Sequence, residues 1–130
     1  MKGNTRIHDG SESIARMERT LGTVTIHPSV VATVARLTAL AIPGVVRLGG
    51  GQRYGVGRML PSSTMGRGVD VSFSDGAITV GLYVVAEAQI SLMELGRRLQ
   101  SEVSRAIRDL IGMEVRAVNI YIQDVETTPM

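Results

Sequence analysis

The chain has 130 residues, of which 44% are hydrophobic, and this length fits a single domain with an ordinary core. Fourteen basic and twelve acidic residues leave a net charge of only +2, which is too small to indicate a nucleic-acid-binding protein by electrostatics alone. The lack of cysteine excludes disulfides, thiol catalysis and cysteine-based zinc sites, and two histidines are too few for a histidine cluster.

Residues 1–20 are predicted to form a flexible N-terminal arm, because small polar and charged residues dominate and no apolar signal-peptide core is present. The longest apolar window, 37–46, is interrupted by Pro43-Gly44 and reaches only half of the roughly 20 residues that a membrane-spanning helix needs. Any association with a membrane is therefore expected to be peripheral or to depend on a partner.

A single domain is predicted over 21–126, beginning with a strand at 22–26 whose Val24 and Ile26 point inward. Pro28 then opens a helix that ends before Pro43-Gly44. Arg36 is the single charged residue of this helix, so its apolar face is expected either to be covered by the sheet or to form an oligomer interface. The residues predicted on that face are Val30, Val31, Val34, Leu37 and Ala41.

A glycine-rich and arginine-rich segment at 46–67 is predicted to be a long loop. It lacks the lysine and hydroxyl residue of a Walker A motif and the fingerprint of a dinucleotide site. A loop with no ligand is the simplest interpretation. The alternative is a binding site for RNA, a phosphoanion or a lipid headgroup. The residues that would make those contacts are Arg47, Arg53, Tyr54, Arg58 and Arg67.

Alternating apolar residues on either side of Asp75-Gly76 predict an antiparallel hairpin. A helix follows, with Ser91 and Glu94 as a capping box and Gly112 as its stop. Its polar side is interpreted as a solvated face, with docking of an acidic partner as the alternative. The arginines of this side are Arg97, Arg98, Arg105 and Arg108. The apolar residues predicted opposite them are Leu92, Leu95, Leu99, Val103, Ala106, Ile107 and Leu110.

A last strand is predicted over 115–125, so the elements follow the order β-α-β-β-α-β. Two helices and four strands with one apolar face each predict an α/β (α+β) fold, a two-layer sandwich, and a ferredoxin-like strand order is the simplest topology. His27 has no second histidine or paired carboxylate beside it, and no Gly-x-Ser-x-Gly elbow occurs. We therefore expect no catalytic residues, no metal and no cofactor.

The order of the apolar motifs carries a resemblance that spans about four fifths of the chain. Gly22-x-Val24-x-Ile26 is followed by Ile42-Pro43-Gly44-Val45 and by Gly68-Val69-x-Val71. The most specific matches are Gln100, Val103, Ala106, Ile107, Leu110, Gly112, Val115, Val118, Asn119, Ile120 and Ile122. Together these motifs resemble the alkaline shock protein family of bacteria, also described as Gls-type envelope stress response proteins.

Two features depart from the pattern of that family. Glu87-Ala88 stands where such proteins often have Tyr-Gly, and the segment between Val45 and Gly68 is longer and richer in arginine than usual. The resemblance implies a non-enzymatic cytoplasmic scaffold protein that self-associates and lies near the membrane through a membrane-anchored partner protein. It also implies a role in the envelope stress response and no catalytic residues. The alternative function is the anion-binding module described above.

Overall fold

The computed structural model describes residues 4–7, 15–19, 21–49, 63–66 and 68–127. These residues form eight strands and two helices. The strands are β1 (Asn4–Ile7), β2 (Ala15–Arg19), β3 (Gly22–Thr25), β4 (Val45–Leu48), β5 (Ser63–Gly66), β6 (Val69–Ser74), β7 (Ala77–Glu87) and β8 (Glu114–Glu126). The helices are α1 (Pro28–Leu40) and α2 (Leu92–Ile111).

The main sheet has five strands and is built around β7. On one side, β7 pairs in parallel with β8 along its whole length. On its other side, β7 pairs antiparallel with β6 through residues 77–82 and with β4 through residues 84–86. β5 extends the sheet by pairing with β6. The predicted hairpin is confirmed, since Asp75 and Gly76 both adopt positive φ angles between β6 and β7.

Tyr83 joins the two strands that share one edge of β7. Its carbonyl accepts a hydrogen bond of 2.7 Å from the Gly49 N–H, and its N–H donates one of 2.9 Å to the Gly68 carbonyl. Gly68 has a φ of +82°, and a Cβ on it would lie 2.5 Å from the Gly49 oxygen and 2.7 Å from the Leu48 Cβ. Glycine is required at this position, because the end of β4 and the start of β6 approach too closely for a side chain.

Both helices pack on one face of the main sheet. Alternate residues of β7 from Ile78 to Ala86 are buried in one cluster with residues of α1, α2 and β6. The predicted two-layer α/β sandwich is therefore confirmed. The strand order is not ferredoxin-like, because β7 and β8 are direct neighbours here, with no strand from the start of the domain between them.

The strand predicted at 22–26 does not join this core. β3 pairs with β2, which pairs with β1, in a separate three-stranded antiparallel sheet, and Val24 is 67% exposed. Two alternating apolar residues can indicate a strand but cannot specify which sheet it enters. β1 and β2 lie within the predicted arm, whose flexibility stays a prediction.

Strands also occupy both ends of the predicted loop at 46–67. β4 begins one residue before this segment, and β5 pairs with β6 near its end. Residues 50–62 and 67 lie outside the described residues.

Helix α1 buries a narrower face than the sequence predicts. Its buried residues are Val31, Ala35 and Ala39, whereas Val30 and Leu37 are 45% and 56% exposed and Ala41 lies just beyond the helix on the surface. A helix that is nearly all apolar or small gives little periodic signal for its inner face, and the small alanines allow close approach to the sheet. His27 occupies the N-cap position, where its side chain makes no capping hydrogen bond.

The predicted ends of α2 are confirmed by their hydrogen bonds. The Ser91 hydroxyl accepts a bond of 3.3 Å from the Glu94 N–H, and Gly112 ends the helix with a φ of +84°. The core side of α2 consists of Leu95, Leu99, Val103 and Ile107. Leu92 and Leu110, also predicted on this side, are 36% and 71% exposed, because they lie beyond the two ends of the buried stripe.

Leu99 and Leu110 provide a matched test of this packing within one helix. We expect Leu99→Ala to lower the free energy of unfolding by about 2 to 5 kcal/mol, because the fully buried side chain leaves a cavity. Leu110→Ala should change it by no more than about 0.5 kcal/mol. Urea unfolding followed by circular dichroism measures both values, and equal losses would contradict the assignment of the buried side.

Gly68 and Gly96 provide a second matched pair. Gly68→Ala should cost at least about 2 kcal/mol of unfolding free energy, through its left-handed backbone and its steric overlap with β4. Gly96→Ala lies inside α2 with nothing within 4 Å of the new Cβ, so it should stabilise by about 0.5 to 1 kcal/mol. The same unfolding assay measures both, and a neutral Gly68→Ala would contradict the close approach of β4 and β6.

Candidate functional site

Five residues of the segment at 46–67 are predicted to contact an anion, and the structure describes the side chain of one of them. Arg47 lies in β4 and forms an ion pair of 2.7 Å with Glu126 of β8. Because β4 and β8 flank β7 on opposite sides, this pair crosses over β7. The others, Arg53, Tyr54, Arg58 and Arg67, lie outside the described residues, so anion binding by the loop stays a prediction.

The arginines predicted on α2 do share one polar side of the helix. Their spacing places them away from Leu99 and Val103. Among the residues that the structure describes, the Arg47–Glu126 contact is the single ion pair within 4 Å, so none of these arginines is held by a neighbouring carboxylate there. A partner contact through them stays a prediction. The four residues are Arg97, Arg98, Arg105 and Arg108.

An open cleft of about 290 Å³ lies where the end of α1 meets the start of α2. Glu87, Glu94 and Arg98 give it a mixed charge. The turn after Glu87 forms without a glycine, and Gln89 adopts a positive φ of 71° in it. The remaining lining residues are Pro43, Gly44, Ile90, Ser91 and Leu95.

The outer face of the main sheet, which is the face opposite the helices, carries a stacked pair of tyrosines. Tyr83 and Tyr121 are direct neighbours in the β7–β8 ladder, and their rings lie 4.8 Å apart at 18°. The Tyr121 ring and the Asp70 side chain both lie beside Gly81 of β7, at 3.5 and 3.6 Å from the position of a Cβ there. Tyr83 is buried and Tyr121 is 47% exposed, which leaves an aromatic contact surface on this face.

Two acidic groups on the outer face titrate above their ordinary ranges. Burial raises the pKa of the Asp70 carboxyl. Burial also raises the pKa of the Tyr83 hydroxyl, and the negative charges of Asp70 and of ionised Tyr121 raise it further. Both groups are therefore biased toward their neutral forms.

Gln123 of β8 packs against Gly49. Its side-chain oxygen occupies the space that a side chain on Gly49 would need, and its Nε2 atom is buried without a hydrogen-bond partner among the described residues. This amide lies beside the point where the chain leaves β4, so the outer face adjoins the start of the arginine-rich segment.

The tyrosine pair is the feature that sequence reasoning missed. Alternation places Tyr121 on the outward side of its strand, and Tyr83 has the outward parity of β7. Their contact depends on β7 and β8 being parallel neighbours in this register, which periodicity does not reveal. Within the described part of the chain, no group of three or more potential metal ligands occurs. No helix there is long and apolar enough to cross a membrane.

Comparison with known proteins assigns the family. The sequence model of the alkaline shock protein 23 family, described as having a cell envelope-related function, matches residues 16–127. The chain belongs to this family. The resemblance noted in the sequence is thereby confirmed, and the match includes the helix α2 and strand β8 that carried its most specific part.

The curated relatives of this family member are bacterial. The uncharacterized protein YqhY of Bacillus subtilis is 26% identical over 106 residues, which cover 82% of this chain and 78% of that protein. The uncharacterized protein YloU of the same organism is 28% identical, covering 82% and 91%. The uncharacterized protein Spy1614 of Streptococcus pyogenes is 25% identical, covering 81% and 88%. No solved structure matches the chain.

Asp70 provides a pH-dependent test of the outer face. Because the pKa of Asp70 is raised in the folded protein, the folded state binds this proton more tightly than the unfolded state does. The ionised carboxylate therefore lowers the free energy of unfolding at pH 7. We expect Asp70→Asn to be more stable than the wild type at pH 7. This difference should shrink as pH falls through the raised pKa toward the ordinary value of 3.8.

Asp75→Asn, in the exposed turn, is the control for the replacement of a carboxylate by an amide. Urea unfolding at several pH values measures the stabilities. Ultraviolet titration of the tyrosines should also show a lower pKa for Tyr83 in Asp70→Asn. A stability difference that grows as pH falls would contradict the sign of the shift.

Proposed function

We propose that this protein is a non-enzymatic scaffold protein of the bacterial envelope stress response. In this proposal it is cytoplasmic, self-associates, and is recruited to the membrane periphery by a membrane-anchored partner protein. The observation that carries the proposal is membership, over residues 16–127, in a family with a cell envelope-related function. The absence of cysteine and of any catalytic motif in the sequence supports the non-enzymatic part.

Helix α1 offers a surface suited to protein contact. Besides its buried side, the helix exposes three apolar residues, the second seven positions and the third ten positions after the first. This spacing places them on one face of the helix, which also includes the small Thr33. Single exposed leucines are ordinary, but this set lies on a helix whose one charged residue is Arg36. We refer to these apolar residues as the α1 stripe: Val30, Leu37 and Leu40.

The α1 stripe supports the self-association in our proposal, because burying it against another protein would remove apolar surface from water. The three residues stand on a helix that is already anchored to β4, β5 and β6, so their positions are set before any partner arrives. Such preorganisation lowers the entropic cost of association.

Light scattering coupled to size exclusion tests self-association. We expect the apparent mass of the wild type to rise above the monomer value of 13.9 kDa with increasing concentration. Leu37→Ser should lower the mass at the highest concentrations, because it places a hydroxyl in the α1 stripe. Leu110→Ser, at an exposed leucine of α2, is the matched control and should behave as the wild type does.

The double variant Arg53→Ala/Arg58→Ala separates the loop from the helix. It should assemble as the wild type does if the α1 stripe, and not the arginine-rich segment, mediates contact. A wild type that stays at 13.9 kDa at every concentration would overturn the self-association in this proposal.

A further inference from the structure

Strand β8 forms an edge of the main sheet and has 13 residues. In the described part of the chain it pairs with β7 alone, so the backbone N–H and C=O groups of its other edge have no strand partner there. An edge of this length is a template for a further strand.

The sequence of β8 is complementary to itself when read antiparallel about Ile120. In that register Val118 faces Ile122 and Val115 faces Val125, and all four point to the helix side of the sheet, because their partners in β7 do. Arg116 faces Asp124, and both are exposed. A two-fold interface requires this kind of self-complementarity, and here it places opposite charges together twice.

The register shifts of β8 agree with the same two-fold axis. β8 is irregular relative to β7 near Arg116 and again near Gln123, so both irregularities lie at similar distances from Ile120. The regular stretch between them is centred close to the axis. Glu114 would face Glu126, but Arg47 already pairs with Glu126 at 2.7 Å and offsets that repulsion.

We propose that two copies of this chain associate by antiparallel pairing of their β8 strands about Ile120, which joins the two main sheets into one continuous ten-stranded sheet. This inference rests on the self-association in the proposed function and adds a second contact surface to the α1 stripe. One such interface closes at a dimer, and contacts through the α1 stripe would then link dimers into larger assemblies.

Gln100 controls access to this edge. Its Nε2 atom donates a hydrogen bond of 3.1 Å to the Val118 carbonyl. Arg98 lines the cleft beside the end of α1, whereas Gln100 projects from another side of α2, toward β8. In the paired register this carbonyl accepts from the N–H of Ile122 in the second copy. The Gln100 amide and the incoming N–H compete for the same carbonyl oxygen, so we expect the amide to weaken pairing.

Charge reversal tests the register. Sedimentation equilibrium of the full chain measures the dissociation constant of the dimer. We expect Asp124→Arg and Arg116→Asp each to weaken the dimer by roughly ten- to hundredfold, because two attractive pairs become repulsive. The double variant Arg116→Asp/Asp124→Arg should recover the wild-type value. Asp124→Arg removes the hydrogen bond from the Val125 N–H to the Asp124 carboxylate in both the single and the double variant. Recovery in the double variant therefore cannot come from that bond and reports on charge pairing.

Controls with the same change in net charge are available on α2. Asp109→Arg matches Asp124→Arg, and Arg105→Asp matches Arg116→Asp, and both sites are exposed. These two variants should dimerise as the wild type does. Circular dichroism of each variant establishes that it is folded.

A second measurement removes the competitor at the edge. Gln100→Ala should tighten the dimer by about tenfold, because two competing side-chain hydrogen bonds per dimer are lost. Gln100→Ala with unchanged or weaker dimerisation would overturn the role given to this amide.

The outcomes separate this inference from the proposed function. If the wild type associates but the single reversals associate equally well, the β8 interface is wrong and self-association stands on another surface. If the wild type is monomeric at every concentration, both the interface and self-association are overturned, and the edge is left for a strand of a different protein. Recovery in the double variant supports the register.

Discussion

The fold depends on β7 having hydrogen-bonding partners on both of its edges. β8 satisfies one edge along its whole length, and the other edge is divided between β6 and β4. The division occurs at Tyr83, whose two backbone groups bond to Gly68 and Gly49. A buried strand leaves no backbone group unpaired at acceptable cost, so the chain must bring β4 and β6 end to end at this residue.

That arrangement determines what each side of the sheet can do. The helix side buries the alternate residues of β7 and anchors α1 and α2, which leaves the α1 stripe on the surface. The outer face receives Tyr83 and Tyr121 together with Asp70, whose carboxyl is partly desolvated there. The outer edge is β8, where the Gln100 amide is bonded to the Val118 carbonyl. Three different kinds of surface thus follow from one central strand.

Features that depend on residues close together in the sequence were predicted more accurately than features that depend on distant residues. The Asp75-Gly76 turn and the caps of α2 depend on residues within a few positions of one another, and all were predicted correctly. The inner face of α1 and the destination of β3 depend on distant partners, so the first was predicted only in part and the second wrongly. The candidate site divides in the same way. The polar arginine side of α2 follows from helical spacing, whereas the Tyr83–Tyr121 stack requires the parallel register of β7 and β8.

By itself the sequence determined the two-layer class, the two helices, the central hairpin and the family, because each rests on periodicity, turn chemistry or the order of motifs. Only the tertiary structure decided that β7 and β8 are adjacent, that β4 lies end to end with β6, and that β3 belongs to a separate sheet. It also decided which side of α1 is exposed. Strand order and register are set by the competition among distant strands for the same backbone edge, and residue spacing along one strand carries no record of that competition.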